Sequence, residues 1–350
     1  MSEGLDSALP SVTSVAPAAR VQSLSLSDVP PLTWLSVIGC AGDLIITRVV
    51  LRSWPHALSR EAFLALDRWA AFSSNLAAVS AIVALVFCLM AYGSRKSGLP
   101  LSARIGILGF GWAFVPIVTL MTFLPLAWTR VELVLVVAGL AHALILLLIL
   151  AGIHWRSAKP VSIALGLLLV AYLSGIASLI VTLAGGRSLW EHTERLSFAF
   201  RWSGELAFLA VPFVLGLSLQ VPWKKPRGQV ALVASVAALI GVAVALYAWG
   251  NAVGESLPDL FYGAFRLDLF AEHGAIGWYG VPLGVMAAVG VAASLSAQAE
   301  QRQLGAAVLL LLCTGYAPRT PLSLLTSILA VALVSRVALA LAHARRQAAT

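Results

Sequence analysis

Charge is what this chain has least of. Asp, Glu, Lys and Arg make up 11% of its 350 residues. A soluble domain carries about a quarter charged residues to solvate its surface, so an ordinary water-facing surface is excluded. Cysteine is nearly as scarce. Cys40, Cys88 and Cys313 fall in three different apolar runs with no CxxC spacing, which excludes a disulfide framework or a zinc site and leaves them as small core residues. No Walker loop, HExxH or GxSxG is present, so no catalytic residue, cofactor or metal ligand is assigned from a motif. The alternating segments of about 10 residues that build membrane β-barrels are also missing. The formal charge of +8 is scattered through short loops without a basic stripe or a recognisable module, so no nucleic-acid partner is implied.

What the chain has instead is apolar length. Hydrophobic residues make up 60% and the mean hydropathy is +0.93. The excess lies in runs of about 20 residues, enough for a helix to span about 30 Å of hydrocarbon. The expected fold class is all-α, a polytopic integral membrane bundle of about ten transmembrane helices, with eight or nine as alternatives. The expected spans are 32–51, 70–93, 104–127, 131–154, 160–184, 198–222, 229–250, 275–297, 304–318 and 321–343. The ninth is short and Pro318 and Pro321 make a tight break after it, so the last two also fit a re-entrant pair.

Residues 1–31 are rich in Ser, Ala, Val and Pro and read as a disordered cytoplasmic tail. Glu3 and Asp6 stand where a secretory signal has basic residues. The transmembrane domain is 32–343, followed by a short cytoplasmic tail at 344–350.

Orientation follows from the charged loops. Lys96, Lys159, Lys224 and Lys225 follow the second, fourth and sixth spans, with Arg95, Arg104, Arg156 and Arg227 beside them. Glu61, Asp67, Glu191, Glu194, Glu255, Asp259, Asp268 and Glu272 lie in the alternate loops. The positive-inside rule makes the lysine loops and both termini cytoplasmic, in a plasma (inner) membrane. Arg52, Arg60 and Arg68 run against this, but they mix with Glu61 and Asp67 in an expected surface helix at 59–70. Nine of the eleven tryptophans fall near span ends, at the headgroup level their rings favour. Between the seventh and eighth spans, Phe261, Phe265 and Leu269 repeat at helical spacing, which predicts an interfacial amphipathic helix.

Four ionisable residues inside spans are the candidate site: Asp43, Arg48, Arg201 and Glu205. Hydrocarbon solvates none of them, so they must face protein, water or each other. Arg201 and Glu205 are one helical turn apart and share a face. In an α-helix Arg48, at i+5, falls off the face of Asp43. Counted from the span ends, Asp43 lies roughly 12 Å and Glu205 roughly 10 Å below the outer surface, so the two carboxylates are expected at one level. They form either an ion-pair lock or a site for a proton or small solute. Gly42-Asp43-Leu44 resembles Gly204-Glu205-Leu206, and each heads five spans, which suggests a five-plus-five inverted repeat. Span six also carries Pro212 as an interruption.

Haem is excluded by the histidines. Only His142 is deep in a span, and bis-histidine ligation needs two imidazoles facing each other at one depth. His154 and His343 sit at cytoplasmic ends as surface anchors. Gly280 and Gly284, and Gly106, Gly109 and Gly111, mark close helix packing, and Arg336 can snorkel to the inner headgroups.

Three functions fit. The first is a secondary carrier or permease for a small solute, coupled to protons through Asp43 or Glu205, whose partners are the bilayer, a solute and a proton. The second is a non-catalytic membrane subunit, assembly factor or sensor, which the shortage of polar residues elsewhere favours. The third is a membrane-embedded enzyme acting on lipid.

Overall fold

The computed structural model describes residues 29–50, 58–94, 99–123, 159–184, 190–219, 224–253, 276–296, 298–314 and 321–349, with helical positions at 137, 140, 143 and 144. All regular structure among them is helical. In chain order the helices are α1 (Val29–Asp43), prolonged by a π-helical segment Leu44–Val50, then α2 (Arg60–Gly93), α3 (Leu101–Phe123), α4 (Lys159–Ala184) and α5 (Trp190–Gly216). They continue with α6 (Pro226–Val253), α7 (Ile276–Ser294), α8 (Ala299–Thr314) and α9 (Pro321–Ala349). Four stretches are long and apolar enough to cross a membrane: Arg60–Gly93, Pro160–Val181, Arg195–Gly216 and Leu322–Leu341. Pro31–Thr47, Pro226–Val242 and Pro282–Ser294 are shorter apolar helices.

Several boundaries differ from the expected ones. The surface helix at 59–70 is not separate: α2 is one helix of 34 residues, roughly 51 Å at 1.5 Å per residue. Ser59 caps it, its hydroxyl accepting from the Ala62 N–H at 3.2 Å, with Glu61 in the first turn. Nothing in 60–70 breaks a helix, so the polar first turns simply continue the apolar ones. Helix α8 starts at Ala299, taking in Glu300, Gln301 and Arg302, and α9 runs on through Ala349. Pro212 does not interrupt α5, which ends four residues later at Gly216 in tight turns, Ser218 N–H donating to the Leu215 carbonyl at 2.9 Å. The 1–28 tail, most of the fourth span with His142, and the 261–269 helix lie outside the described residues.

Helix α9 is the axis. It packs against α2, α3, α4 and α8, and 89% of its Leu322–Leu341 stretch is buried, against 44% for the apolar stretches of α2 and α4. Two of its buried hydroxyls turn back on its own backbone, Thr326 donating to the Leu322 carbonyl at 2.8 Å and Ser327 to Leu324 at 3.0 Å. A serine or threonine satisfied within its own turn can be buried without a partner helix. The outer helices do the reverse. Phe72, Val79 and Met90 of α2, Leu173 and Ile180 of α4, and Val230 and Val233 of α6 point outward. In water such apolar faces are association surfaces; in hydrocarbon they are solvated. Trp69 and Phe72, both exposed, meet edge to face at 5.8 Å in the first third of α2.

Two crossings rest on glycine. On α1, a Cβ at Gly39 would lie 2.6 Å from the Ala77 nitrogen and 2.7 Å from the Ser73 carbonyl oxygen of α2. One turn away Ser36 and Ser80 share a hydrogen bond of 2.9 Å. Between α7 and α8, a Cβ at Gly305 would lie 2.5 Å from the Ser294 nitrogen and 2.7 Å from the Gly290 oxygen. Of the glycines singled out from sequence, Gly284 packs within the chain on Leu239 and Gly111 on Leu89, whereas Gly109 faces open space.

Candidate functional site

Asp43 is the last residue of α1, and from Leu44 the ladder changes to the wider π form. Five of the seven residues in Leu44–Val50 are β-branched, side chains that crowd an α-helical turn. The Thr47 hydroxyl donates to the Asp43 carbonyl at 2.5 Å, holding the junction. This changes the relation to Arg48. A ladder that closes i to i+5 brings position 48 over position 43, so the two stand on one face, where an α-helix would have separated them. Gly42 seats this turn on α2, an added Cβ lying 2.9 Å from the Ser73 hydroxyl. Asp43 is half-buried, and Cys40, one turn before it, lies within electrostatic reach of both Asp43 and Cys313, on the face that α1 turns to α8. All three cysteines are free thiols.

Glu205 occupies a different environment. Its residue is 1% exposed, on the stripe of α5 formed with Ser197, Phe208, Val211 and Leu215. Helix α5 packs on α4 and α7. Two serine pairs join α4 to α5: Ser178 with Ser197 at 2.8 Å, and Ser203 donating to Ser174 at 3.1 Å. These antiparallel pairs place Glu205, two residues past Ser203, near the level of Tyr172 of α4. Tyr172 is buried against Ser327 of the axial helix. Arg201 keeps its one-turn spacing to Glu205, since α5 is continuous between them.

The four candidates therefore fall into two pairs, 43 with 48 and 201 with 205. Among the described residues α1 packs on α2 and α8 and shares no extended surface with α5. Glu205 lies fifteen residues from the start of α5, roughly 22 Å, while Asp43 is seven from the end of its π segment. The expected meeting of the two carboxylates at one level thus has no shared helix surface behind it, and α5 begins at Trp190, before the expected start of its span. The two Gly-acid-Leu triads also fold differently, one at an α-to-π junction and one inside a continuous α-helix.

Sequence reading missed a second polar group, at the opposite end of the bundle. The Tyr92 hydroxyl donates to the Ala332 carbonyl and lies against Ser335. Arg336, half-buried, is within electrostatic reach of Cys88, Tyr92 and Glu300, so it is held inside the bundle rather than only reaching to headgroups. The signal in the sequence is Glu300-Gln301 opening an apolar run, between the expected spans 275–297 and 304–318. No protein-family model, curated protein or solved structure matches the chain.

Proposed function

We propose that this chain is a plasma-membrane carrier or permease for a small solute, with about ten crossings, both termini cytoplasmic and Asp43 as the proton- or solute-binding group. The observation that carries the reading is an acid at the junction where an apolar helix widens into a π segment. Such segments cluster at functional sites. Widening also redirects backbone carbonyls, and irregular carbonyls beside an acid are the groups with which broken membrane helices hold coupling ions.

In proteoliposomes screened against solute classes under a pH gradient, Asp43→Asn is expected to remain folded and to lose uptake. An Asp43→Asn protein with unchanged melting, binding and uptake removes the carrier reading. Orientation is tested separately. Cysteines placed at Lys96 or Lys224 should react with an impermeant maleimide only after permeabilisation, and one at Asp259 from outside. The native Cys40 and Cys88 are buried, and the half-buried Cys313 is replaced first. Labelling of a Lys224 site in intact cells reverses the assignment.

A non-catalytic membrane subunit is the second reading. It is favoured by the complete burial of Glu205 beside two serine pairs, an arrangement suited to locking helices together.

A further inference from the structure

Helix α2 is longer than the bundle it belongs to. Its 34 residues rise roughly 51 Å, whereas the 19 residues of α7 rise roughly 28 Å. The two helices are level at one end. Tyr92, next to last in α2, bonds to the Ala332 carbonyl, and Arg336 is in reach of both Tyr92 and Glu300 at the start of α8. The short turn from α7 into α8 is therefore at the end where α2 finishes, and α7 begins at the end where α2 begins. The first turns of α2 stand beyond that start. From Arg60 to Trp69 every residue is exposed except Ala62 and Leu66, which are half-buried. One stripe of α2 nevertheless continues through them. Ala70, Ala77, Ala84 and Cys88 are buried at spacings of one face of a helix, and α1 packs on this stripe at Ala77. The same spacing carries it on through Leu66 to Phe63, where the cover thins and Phe63 is 38% exposed.

The chain itself carries a segment that fits this surface, residues 254–275, which lie outside the described residues. The segment joins Val253 of α6 to Ile276 of α7, so it arrives at the end where α2 begins. Its reach is sufficient. As a helix it would span roughly 33 Å. The way from α7 to α2 passes α8 and α1, which pack on one another in that order, three steps of about 9 Å. The stretches 51–57 and 315–320, which join α1 to α2 and α8 to α9 at the same end, have no such reach. The chemistry also matches. Phe261, Phe265 and Leu269 repeat at helical spacing, and Glu255, Asp259, Asp268 and Glu272 outnumber Arg266. Around the start of α2 the balance is reversed, with Arg48, Arg52, Arg60 and Arg68 outnumbering Glu61 and Asp67. Opposite net charge steers two such surfaces together, and the apolar stripes supply the contact.

We propose that the first turns of α2 are a docking surface for the chain's own residues 254–275, with Phe261, Phe265 and Leu269 covering Phe63 and Leu66. The acidic side of the segment then lies toward Arg60 and Arg68. The contact ties the α6–α7 pair to the α1–α2 pair at one end of the bundle, and it is independent of what Asp43 binds.

The test is disulfide cross-linking of the full-length protein in phosphatidylcholine liposomes, after Cys40, Cys88 and Cys313 are replaced by alanine. Phe63→Cys is combined in turn with Phe261→Cys, Phe265→Cys and Leu269→Cys. A protease site inserted beside Lys224 separates the two fragments, so a link within one chain holds them together on a non-reducing gel. At least one combination should stay joined, and Phe63→Cys with Ser218→Cys, at the other end of the bundle, should not. Hydrogen exchange gives a second readout with the native cysteines in place. Phe63→Asp alters an exposed side chain, so the variant should melt with the parent while the amides of 261–269 exchange about tenfold faster. A link formed between two chains identifies a second copy as the occupant. No link, with brominated lipid quenching a fluorophore on the Phe63→Cys protein, identifies the bilayer. Either result overturns the proposal, as does unchanged exchange in Phe63→Asp.

Discussion

Replacing Gly39 by valine is expected to prevent α1 from docking, with little folded protein recovered from detergent. The first carbon added would lie 2.6 Å from the Ala77 nitrogen, 2.7 Å from the Ser73 oxygen and 2.9 Å from the Ala77 Cα. All three are backbone atoms of α2, so no side chain can rotate away and the helices must separate. Separation also breaks the Ser36–Ser80 hydrogen bond and lifts Gly42 off Ser73. Overpacking by itself costs about 1–3 kcal/mol, and here a whole helix interface goes with it. Gly305→Val should behave the same way between α7 and α8, with backbone at 2.5 Å and 2.7 Å. Gly109→Ala and Gly241→Ala are the controls. Nothing lies within 4 Å of either added carbon, and alanine is the better helix former by about 1 kcal/mol. Size-exclusion profiles and melting curves of the four variants decide it. A Gly39→Val protein that melts with the parent shows that α1 does not cross α2 as described.

Glu205→Gln is the second large effect, a loss of stability. Glu205 is 1% exposed, and the expectation is that Arg201, one turn earlier on the same continuous helix, takes it as counter-charge. Stranding a buried charge by removing its partner costs about 3–5 kcal/mol, well within the resolution of a melting assay. The double variant Arg201→Gln, Glu205→Gln should recover much of the loss, since both charges then leave together. Additive effects of the two single changes would dissolve the pair. Retained stability with lost uptake in Glu205→Gln would move Glu205 from a structural to a functional role, and would weaken the subunit reading in favour of the carrier.

Local chemistry settled a good deal before any fold was known. Apolar length and the scarcity of charge are summed over contiguous residues, so an all-helical chain with helices long enough for a bilayer was legible from sequence. So was the single-face relation of Arg201 and Glu205, which needs only α-helical periodicity. Asp43 and Arg48 were separated on the same assumption. The π segment reunites them, because a run of β-branched residues loosens the α-turn without announcing which wider ladder replaces it.

Which helices become neighbours is a different kind of fact. Hydropathy scores α2, α4 and α9 almost alike, yet α9 is buried on nearly every side and the other two only on one. The difference comes from which partners pack around it, and no single helix carries that information. The same holds for Gly39 and Gly305, whose missing side chains matter only where another backbone arrives. It holds for the Tyr92 hydroxyl and the Ala332 carbonyl, which are far apart in the chain and meet only through the packing of α2 on α9. Burial of a polar atom and the approach of two backbones are pairwise properties. They take values only once the helices have met.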